Sequence, residues 1–458
     1  MTAATLFLPC AAGVEALLAD ETQRLTGVAA EAARGGVWVA GDERLAMLLN
    51  LESRLAQRVL WPVAQGPYRD EHDLYRLACT VPWERWITPE QTLRVDVSAQ
   101  RSPLQSLNFA ALRIKDAVCD TLRQTLGARP SVDTRHPDLP ISLFVGPETA
   151  ALYIDTSGEA LFKRGWREDK GEAPLKETLA AAMLAAAGWQ GRAEDGPLLD
   201  PCCGAGTIAS EAAQMACGIA AGSLRRFAFE RLLPFRPFSA AWRDLQRAAQ
   251  ARVRPPAAPV FAGDVSFRMT DFATRNAERA GVRHAIEFKT GDALQRPPPA
   301  PRGTLLMNPP YGERITPKGT GQGGAQAVAS AAGSARQAFE GGAGAAEFYG
   351  GLATQWKRHY AGWTAWLLSP DPKLPSQLRL KESRRVPLWN GPIECRLFRF
   401  DITAGAGPGD GAARQRGAAP ATDDSGAARQ RGAAPATDDS GAARQRGAAP
   451  ADDSGPAA

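Results

Sequence analysis

One stretch near the middle of the chain constrains the fold more than any other. An apolar run ends at Leu199, and residues 200–207 follow with the sequence Asp-Pro-Cys-Cys-Gly-Ala-Gly-Thr. A short apolar run is typical of a buried parallel strand, and Gly204 and Gly206 permit a tight turn with close backbone approach. Residues 207–217 then show helical spacing of apolar residues. Strand, glycine loop and helix predict a nucleotide-type pocket at the carboxyl edge of a sheet.

Two further predicted strands end in an acid. Residues 259–264 end at Asp264, residues 286–292 end at Asp292, and a helix is expected over 267–280 between them. In such a pocket the first acid is expected to accept hydrogen bonds from ribose hydroxyls, and the second from an adenine amino group. Either acid alone would also suit a turn or a helix cap. Their arrival in order at successive strand ends favours a binding site.

A fourth predicted strand, 304–307, leads into Asn308-Pro309-Pro310-Tyr311. The two prolines fix the backbone and lack N–H donors, which leaves the Asn308 side-chain oxygen and the Pro309 carbonyl as acceptors. Two acceptors can hold both hydrogens of an NH2 group, while Tyr311 stacks on a flat base. The pattern predicts that a planar amine is positioned for chemistry at its nitrogen. A proline-rich turn would show the same four residues.

The order of these motifs resembles the bacterial THUMP-domain rRNA guanine-N2 methyltransferases, the RlmL family, in a form with a single methyltransferase domain. Some members carry a second methyltransferase domain downstream, for which a chain of 458 residues is expected to have no room. The resemblance covers roughly residues 1–402. The stretches that carry it are 157–167, 173–182, 200–207, 276–282, 308–314 and 390–395.

The resemblance implies methyl transfer from S-adenosylmethionine to the exocyclic N2 amine of a guanine in 23S rRNA, with the base flipped out of its stack and no metal required. Ser266 stands where relatives often carry a second acid, so the ribose contact is expected from Asp264 alone. The residues expected to bind S-adenosylmethionine are Asp200, Pro201, Gly204, Gly206, Thr207, Asp264, Asp292 and Asn308. Those expected to hold the guanine are Asn308, Pro309, Pro310 and Tyr311.

The expected fold class is α/β, a class I (Rossmann-like) methyltransferase domain preceded by α+β ferredoxin-like and THUMP domains. The Gly/Ala-rich insertion 316–346 is expected to be a flexible loop, which could also cover the substrate. Helices are expected over 42–58 and 347–361, and a hairpin around Asn390-Gly391. The expected boundaries are 1–58 (ferredoxin-like), 59–157 (THUMP, RNA-binding), 158–192 (linker and helix), 193–403 (methyltransferase) and 404–458 (tail).

The tail consists of repeats. Residues 411–425 and 426–440 are identical, and a third copy begins at 441. These repeats offer almost nothing apolar to bury, so the tail is expected to be disordered.

Composition and charge agree with an RNA partner without requiring one. The net charge is +5, which suits a polyanion such as 23S rRNA or a large-subunit precursor. Lys163, Arg164 and Arg167 form, with Lys170, a candidate phosphate contact, although a solvated linker face would show the same cluster. Seven cysteines without a Cys-x-x-Cys pattern favour a reducing, cytoplasmic location over structural zinc. No segment is long and apolar enough to predict a membrane partner, and no obligate protein partner is evident.

Two other functions stay open at this point. The Asn-Pro-Pro-Tyr pattern also occurs in enzymes that methylate another amino group, in a tRNA guanine, a DNA adenine or a protein glutamine. A non-catalytic RNA-binding assembly factor with a relic pocket is the third possibility. The N-terminal half discriminates against the DNA and protein enzymes, because they lack a THUMP domain.

Overall fold

The computed structural model describes residues 4–171, 175–309 and 343–403, with side chains from 346 onward in the last range. Pro310, Tyr311, most of the insertion and the tail lie outside the described residues. No helix within these ranges is long and apolar enough to cross a bilayer.

The N-terminal half builds a single sheet with helices packed against it. Its strands follow the spatial order β2-β3-β1-β4-β8-β7-β5-β6. Phe7 of β1 pairs with Leu60 of β4, so the ferredoxin-like and THUMP modules share one continuous sheet. In chain order the elements are β1 (Ala4–Pro9), α1 (Glu15–Thr26), β2 (Ala30–Ala33), β3 (Gly36–Gly41), α2 (Glu43–Glu52), β4 (Leu60–Pro67), α3 (Glu71–Cys79), β5 (Thr92–Ala99), α4 (Leu107–Leu126), β6 (Ser131–Val132), β7 (Leu139–Val145) and β8 (Thr149–Asp155).

The expected helix over 42–58 is wrong in its second half, because α2 ends at Glu52. The buried Glu21 carboxylate from α1 accepts hydrogen bonds from the backbone N–H groups of Arg54 and Leu55, at 3.1 and 3.2 Å. It also accepts one from the Ser53 hydroxyl at 2.7 Å. A distant side chain therefore takes the donors that a longer helix would have used internally.

The C-terminal half is a seven-stranded sheet in the order β11-β10-β9-β12-β13-β15-β14. The strands from β11 through β13 run parallel, and β15 and β14 add an antiparallel hairpin. The elements are α5 (Glu177–Ala187), β9 (Leu198–Asp200), α6 (Thr207–Ala216), α7 (Ser239–Ala251), β10 (Val260–Asp264), α8 (Phe267–Arg279), β11 (Ile286–Thr290), β12 (Gly303–Met307), α9 (Ala343–His359), β13 (Trp363–Ser369), α10 (Leu374–Leu378), β14 (Arg384–Asn390) and β15 (Ile393–Asp401). This is the predicted class I methyltransferase topology.

Two expectations about this half need correction. Asn390 pairs with Ile393, so the hairpin turn consists of Gly391 and Pro392 and not of the predicted Asn390-Gly391 pair. Gly391 has φ +63°, a conformation that favours glycine. Helix α9 begins at residue 343, inside the predicted insertion 316–346, where the Ala-Gly-Ala-Ala sequence is rich in the strongest helix former.

Candidate active site

Four polar side chains lie at or just beyond the carboxyl ends of four adjacent parallel strands. Asp200 ends β9, Asp264 ends β10, Asp292 follows β11 by two residues, and Asn308 follows β12 directly. Because these strands are neighbours in the sheet, their carboxyl ends meet at one edge. That edge is where open α/β sheets bind ligands, and the structure brings the four predicted residues to it.

The glycine loop is shaped by two glycines with positive φ. Gly204 has φ +52° and Gly206 has φ +81°. A Cβ atom on Gly206 would lie 2.8 Å from the Cβ of Ala273 on α8, so a larger residue could not pack there. No described atom lies within 4 Å of the Cβ position on Gly204, which therefore borders open space. One glycine permits the helix to pack and the other faces the region where a ligand would lie.

Asp264 holds the glycine loop to β10. One carboxylate oxygen accepts a hydrogen bond from the Gly204 N–H at 3.0 Å, and the other accepts one from the Ser266 N–H at 2.9 Å. Burial raises the pKa of this carboxyl, and the two backbone hydrogen bonds oppose the rise. Since each carboxylate oxygen has about two acceptor sites, Asp264 keeps capacity for ribose hydroxyls while it fixes the loop.

Asp200 is a buried carboxyl with little local compensation. It is 1% exposed and accepts one hydrogen bond from the Cys202 N–H, at 3.3 Å. Burial raises its pKa to about 8. A cation bound beside it would favour the ionised form, and S-adenosylmethionine carries both a sulfonium and an ammonium group. The arrangement therefore suits the charged end of that molecule.

Asn308 carries a buried acceptor that lacks a donor. Its side-chain oxygen is excluded from solvent and has no hydrogen-bond partner among the residues that the structure describes. An unsatisfied buried acceptor costs about 1–3 kcal/mol, so such atoms are uncommon unless a ligand supplies the donor. Pro309 is buried beside it, and the predicted partners Pro310 and Tyr311 lie outside the described residues.

Asp292, the residue expected to take the adenine, is partly exposed. One of its carboxylate oxygens accepts a hydrogen bond from the Leu294 N–H at 2.9 Å, which closes the turn after β11. The role of a turn residue and that of an adenine contact are compatible, because the second oxygen stays available. Within the described ranges, no group of three or more His, Cys, Asp or Glu side chains is placed to hold a metal ion.

A second asparagine supports the glycine loop from the side of α8. Asn276 is fully buried, and its amide donates to the carbonyls of Asp169 and Ala205, at 2.9 and 3.1 Å. Its oxygen accepts from the backbone N–H groups of Glu168 and Asp169 and from the Arg279 guanidinium. This side chain joins the loop to the linker that follows the THUMP domain.

Arg167 supports the other side of Gly206. Its guanidinium donates to the Thr207 hydroxyl at 2.7 Å and to the Leu175 carbonyl at 2.6 Å. Its Nε atom forms an ion pair of 3.0 Å with the Glu177 carboxylate at the start of α5. The hydroxyl oxygen of Thr207 therefore accepts a hydrogen bond from Arg167. The hydroxyl proton and the backbone N–H of Thr207 are the groups available for the predicted cofactor contact.

The predicted phosphate contacts of Arg164 and Arg167 are wrong. Arg164 is 1% exposed, and its guanidinium bonds to the Glu211 carboxylate at 2.9 Å and to the Leu161 and Arg54 carbonyls. Neither arginine can reach an RNA backbone while these partners are kept. Lys163 is exposed and pairs with Glu159, four residues earlier in the linker, so it alone of the three stays a candidate RNA contact.

Sequence reasoning missed the support residues Arg164, Arg167 and Asn276. The basic residues beside Gly165 suggested an exposed surface. Arg164 instead pairs with Glu211 on α6, 47 residues downstream, and Arg167 pairs with Glu177 at the start of α5. The sequence signal that could have indicated burial was the presence of apolar residues within the cluster. Leu161 and Trp166 are both almost fully buried.

Comparison with known families follows this architecture. Residues 5–60 match the RlmL ferredoxin-like domain, 68–155 match the THUMP domain, and 164–334 match the RMKL-like methyltransferase domain. The chain carries all three of these domains. The order of these three domains is the order that the family resemblance implied.

Curated relatives are identical to this chain at about a third of the aligned residues. It is 34% identical over 404 residues to the ribosomal RNA large subunit methyltransferase K/L of Psychromonas ingrahamii, covering 87% of this chain and 50% of the relative. It is 35% identical over 407 residues to the enzyme of the same name from Pseudomonas aeruginosa, covering 87% and 52%. The chain therefore spans about half the length of the curated relatives it matches.

Solved structures share the fold across the whole described region. A methyltransferase complexed with SAH superposes with a TM-score of 0.75 at 24% identity, covering 88% of this chain and all of that one. A possible methylase from Clostridium difficile 630 gives 0.74 at 26% identity, covering 88% and 99%. A protein from Listeria monocytogenes, described as a predicted N6-adenine-specific DNA methylase, gives 0.72 at 25% identity, covering 87% and 96%.

Proposed function

We propose that this chain methylates the exocyclic N2 amine of a guanine in 23S rRNA, with S-adenosylmethionine as methyl donor. The observation that carries the proposal is the buried side-chain oxygen of Asn308 at the end of β12, which has no hydrogen-bond partner among the described residues. It lies at the same sheet edge as Asp200 and Asp264, the residues proposed to bind the donor. An acceptor and a cation-compatible pocket at one edge are what methyl transfer to an amine needs.

The chain's contribution to the reaction is positioning. The Asn308 oxygen and the Pro309 carbonyl accept hydrogen bonds from the two amine hydrogens. That contact turns the nitrogen lone pair, otherwise delocalised into the ring, toward the methyl group. S-adenosylmethionine would supply the electrophilic methyl group: its sulfur–methyl bond breaks as the new N–C bond forms, S-adenosylhomocysteine is the leaving group, and the amine loses one proton to solvent. The two acceptors stabilise the positive charge that develops on nitrogen. The remaining rate enhancement comes from holding the amine and the methyl donor in contact.

The support for an RNA substrate comes from the N-terminal half and from relatives. The chain has a THUMP domain, and the relatives described above are named as ribosomal RNA large subunit methyltransferases. A guanine in structured RNA must leave its stack to reach Asn308. Methylation of a tRNA guanine uses the same geometry and is the nearest alternative.

A DNA adenine is the second alternative that an observation favours. The Listeria protein is described as a predicted N6-adenine-specific DNA methylase and shares the fold over 87% of this chain. An adenine amine would fit the same two acceptors. The THUMP domain weighs against it.

Nucleoside mass spectrometry tests the proposal. We expect 23S rRNA from a strain that lacks this protein to lose one N2-methylguanosine. The purified protein with S-adenosylmethionine should restore it, and the Asn308→Ala variant should not. The same reaction is run on tRNA and on duplex DNA. Unchanged N2-methylguanosine in 23S rRNA would refute the proposal, and new methylation of tRNA or DNA would identify the alternative.

A further inference from the structure

An arginine-rich stretch of the methyltransferase domain, residues 223–255, dominates the charge of the chain. It contains eight arginines, no lysine and two acids, Glu230 and Asp244, for a net charge of +6. Since the whole chain carries +5, the other 425 residues together carry −1. We call this stretch the arginine segment. It includes helix α7.

Three of its arginines are exposed without a neutralising partner. Arg236, Arg243 and Arg254 have no ion pair among the described residues and are exposed to solvent. Four others pair with an acid, as Arg231 does with Asp138 at 3.2 Å. The eighth, Arg225, is directed inward, where it donates to four linker carbonyls. Its positive charge is therefore structural, whereas the three unpaired arginines are available to a partner.

The backbone under these arginines is held by an aromatic cluster. Phe227 and Phe229 stack with ring centroids 5.4 Å apart, and the Trp242 ring meets both edge-on, at 5.8 and 4.9 Å. Phe235 lies 5.3 Å from Phe229 and 6.0 Å from Trp61 of β4. Well-packed aromatic rings fix the segment in place, so the arginines start from a rigid support.

The arginine segment contacts all three domains. Trp61 joins it to the THUMP region, and Arg252 on the end of α7 pairs with Glu52 of α2 in the ferredoxin-like domain. On α7, Trp242 and Ala249 face the core. Arg243 and Arg247, one turn apart, lie on the opposite side of the helix, facing solvent.

We infer that the exposed face of the arginine segment is a second RNA-binding surface that contacts the phosphate backbone. The inference rests on the proposed RNA substrate and adds where the electrostatic contact is made. The region that matches the THUMP domain, 68–155, has ten basic and twelve acidic residues, a net charge of −2. Binding of nucleic acid depends strongly on phosphate neutralisation. The net positive charge for it lies in the arginine segment, because the basic residues of the THUMP match are outnumbered by its acids.

RNA fits this surface better than an acidic protein does. Arginine guanidinium groups match phosphate geometry in a bidentate way. The surface lies where the three domains meet, so a structured RNA bound across the THUMP domain would pass close to it. An acidic protein partner is the outcome that the experiment below separates.

The test compares three variants with the full-length protein. The Arg236→Gln/Arg243→Gln/Arg254→Gln variant removes three unpaired charges, and a matching triple Lys variant keeps them. A control, Arg302→Gln/Lys381→Gln/Arg384→Gln, removes three exposed unpaired charges from the other part of the methyltransferase domain. Affinity for a protein-free 23S rRNA transcript is measured across a KCl series, with SAH binding and melting temperature as checks on folding.

We expect the Gln variant to bind the transcript on the order of ten-fold more weakly at physiological salt. The slope of log affinity against log salt should fall by about 3, one for each lost phosphate contact. The Lys variant and the control should keep the wild-type slope to within about 1. SAH affinity should not change in any variant, because none of these residues touches the cofactor site.

Three results would overturn the inference. An unchanged affinity and slope in the Gln variant would exclude RNA contact and would leave a protein partner as the use of the surface. Equal weakening in the control would mean that only net charge matters. Equal weakening in the Lys variant would mean a structural role. Absence of transcript binding by the wild-type protein would instead contradict the proposed RNA substrate, and is distinguishable for that reason.

Discussion

An asparagine lies at the front and another at the back of the glycine loop, and the two differ in the hydrogen bonding of their buried side-chain atoms. Asn276, behind the loop, forms five hydrogen bonds with the loop, the linker and Arg279. Asn308, in front, has a buried oxygen with no partner among the described residues. Among the described residues, the same type of side chain therefore has hydrogen-bond partners for its oxygen and nitrogen at Asn276 and none for its oxygen at Asn308.

This contrast distinguishes residues that stabilise the glycine loop from the residue proposed to contact the reacting amine. A buried polar group with complete hydrogen bonding stabilises a local structure. A buried acceptor left without a donor costs stability and persists where a ligand completes it. The back of the loop, with Arg164, Arg167 and Asn276, should therefore control stability and cofactor affinity, whereas the front should control turnover.

Replacing Asn308 by Ala should produce the largest effect. We expect the rate of methyl transfer to fall by about 10²–10⁴-fold, because the amine loses its orienting acceptor. Calorimetry should show unchanged SAH affinity, and the melting temperature should stay the same or rise slightly, since no formed hydrogen bond is lost. Parallel loss of SAH binding and activity would mean that Asn308 belongs to the support.

Replacing Arg164 by Ala should be the largest change at the back. Removal of Arg164 leaves the buried Glu211 carboxylate with the Arg54 guanidinium, 3.1 Å away, as its remaining ion-pair partner among the described residues. We therefore expect a cost near the lower end of the about 3–5 kcal/mol of unfolding free energy that follows when a buried ion pair loses one partner. Urea denaturation measures this cost. The adjacent exposed residue provides the matched control, because Lys163→Ala breaks only a solvent-exposed pair and should leave the denaturation midpoint nearly unchanged. Equal effects of the two substitutions would contradict the burial of Arg164.

Replacing Asn276 by Ala should have an intermediate effect on both properties. Several buried backbone groups lose their partner, so we expect a loss of about 1–3 kcal/mol in stability. SAH affinity should weaken by on the order of ten-fold, because the Ala205 carbonyl beside Gly206 is released. The maximal rate at saturating cofactor should change little. A fall in that rate with unchanged SAH affinity would show that the two sides of the loop are not separate in function.

The smallest expected effect is a pH dependence at Asp200. Burial raises its pKa to about 8, so between the ordinary carboxyl pKa and that value the folded state binds a proton that the unfolded state lacks. The contribution to stability therefore falls as pH rises through this window. The melting temperature of Asp200→Asn minus that of the wild type should increase from about pH 5 to pH 8. A constant difference across that range would show that the carboxyl is already ionised.

The front of the site could be predicted from sequence, whereas the back could not. Asp200, Asp264 and Asn308 were predictable because each directly follows an apolar strand, and parallel strands bring their ends to one edge. Arg164 and Asn276 depend on partners far along the chain. Arg164 meets Glu211 on α6 and the Arg54 carbonyl, which lies 110 residues away. Local pattern contains no information about which distant acid neutralises a given arginine.

The fold shows the same division. Strands and helices with clear periodicity lie where the pattern placed them, as β9, α6 and β10 do. The end of α2 does not, because Glu21 competes from another helix for the backbone donors after residue 53. The turn of the hairpin after β14 lies one residue later than predicted. The reason is visible in the sequence, because Gly391 tolerates an unusual backbone conformation and the φ of Pro392 is fixed.

The continuous sheet of the N-terminal half limits how this protein can be divided. Strand β4 lies between β1 and β8, and its pairing with β1 is made at Phe7 and Leu60. A fragment that starts at the expected boundary, residue 59, would lose that pairing and leave the start of β4 as an open edge. Exposed edges recruit other strands and promote aggregation. A THUMP fragment cut at residue 59 should therefore aggregate more readily than the intact N-terminal half.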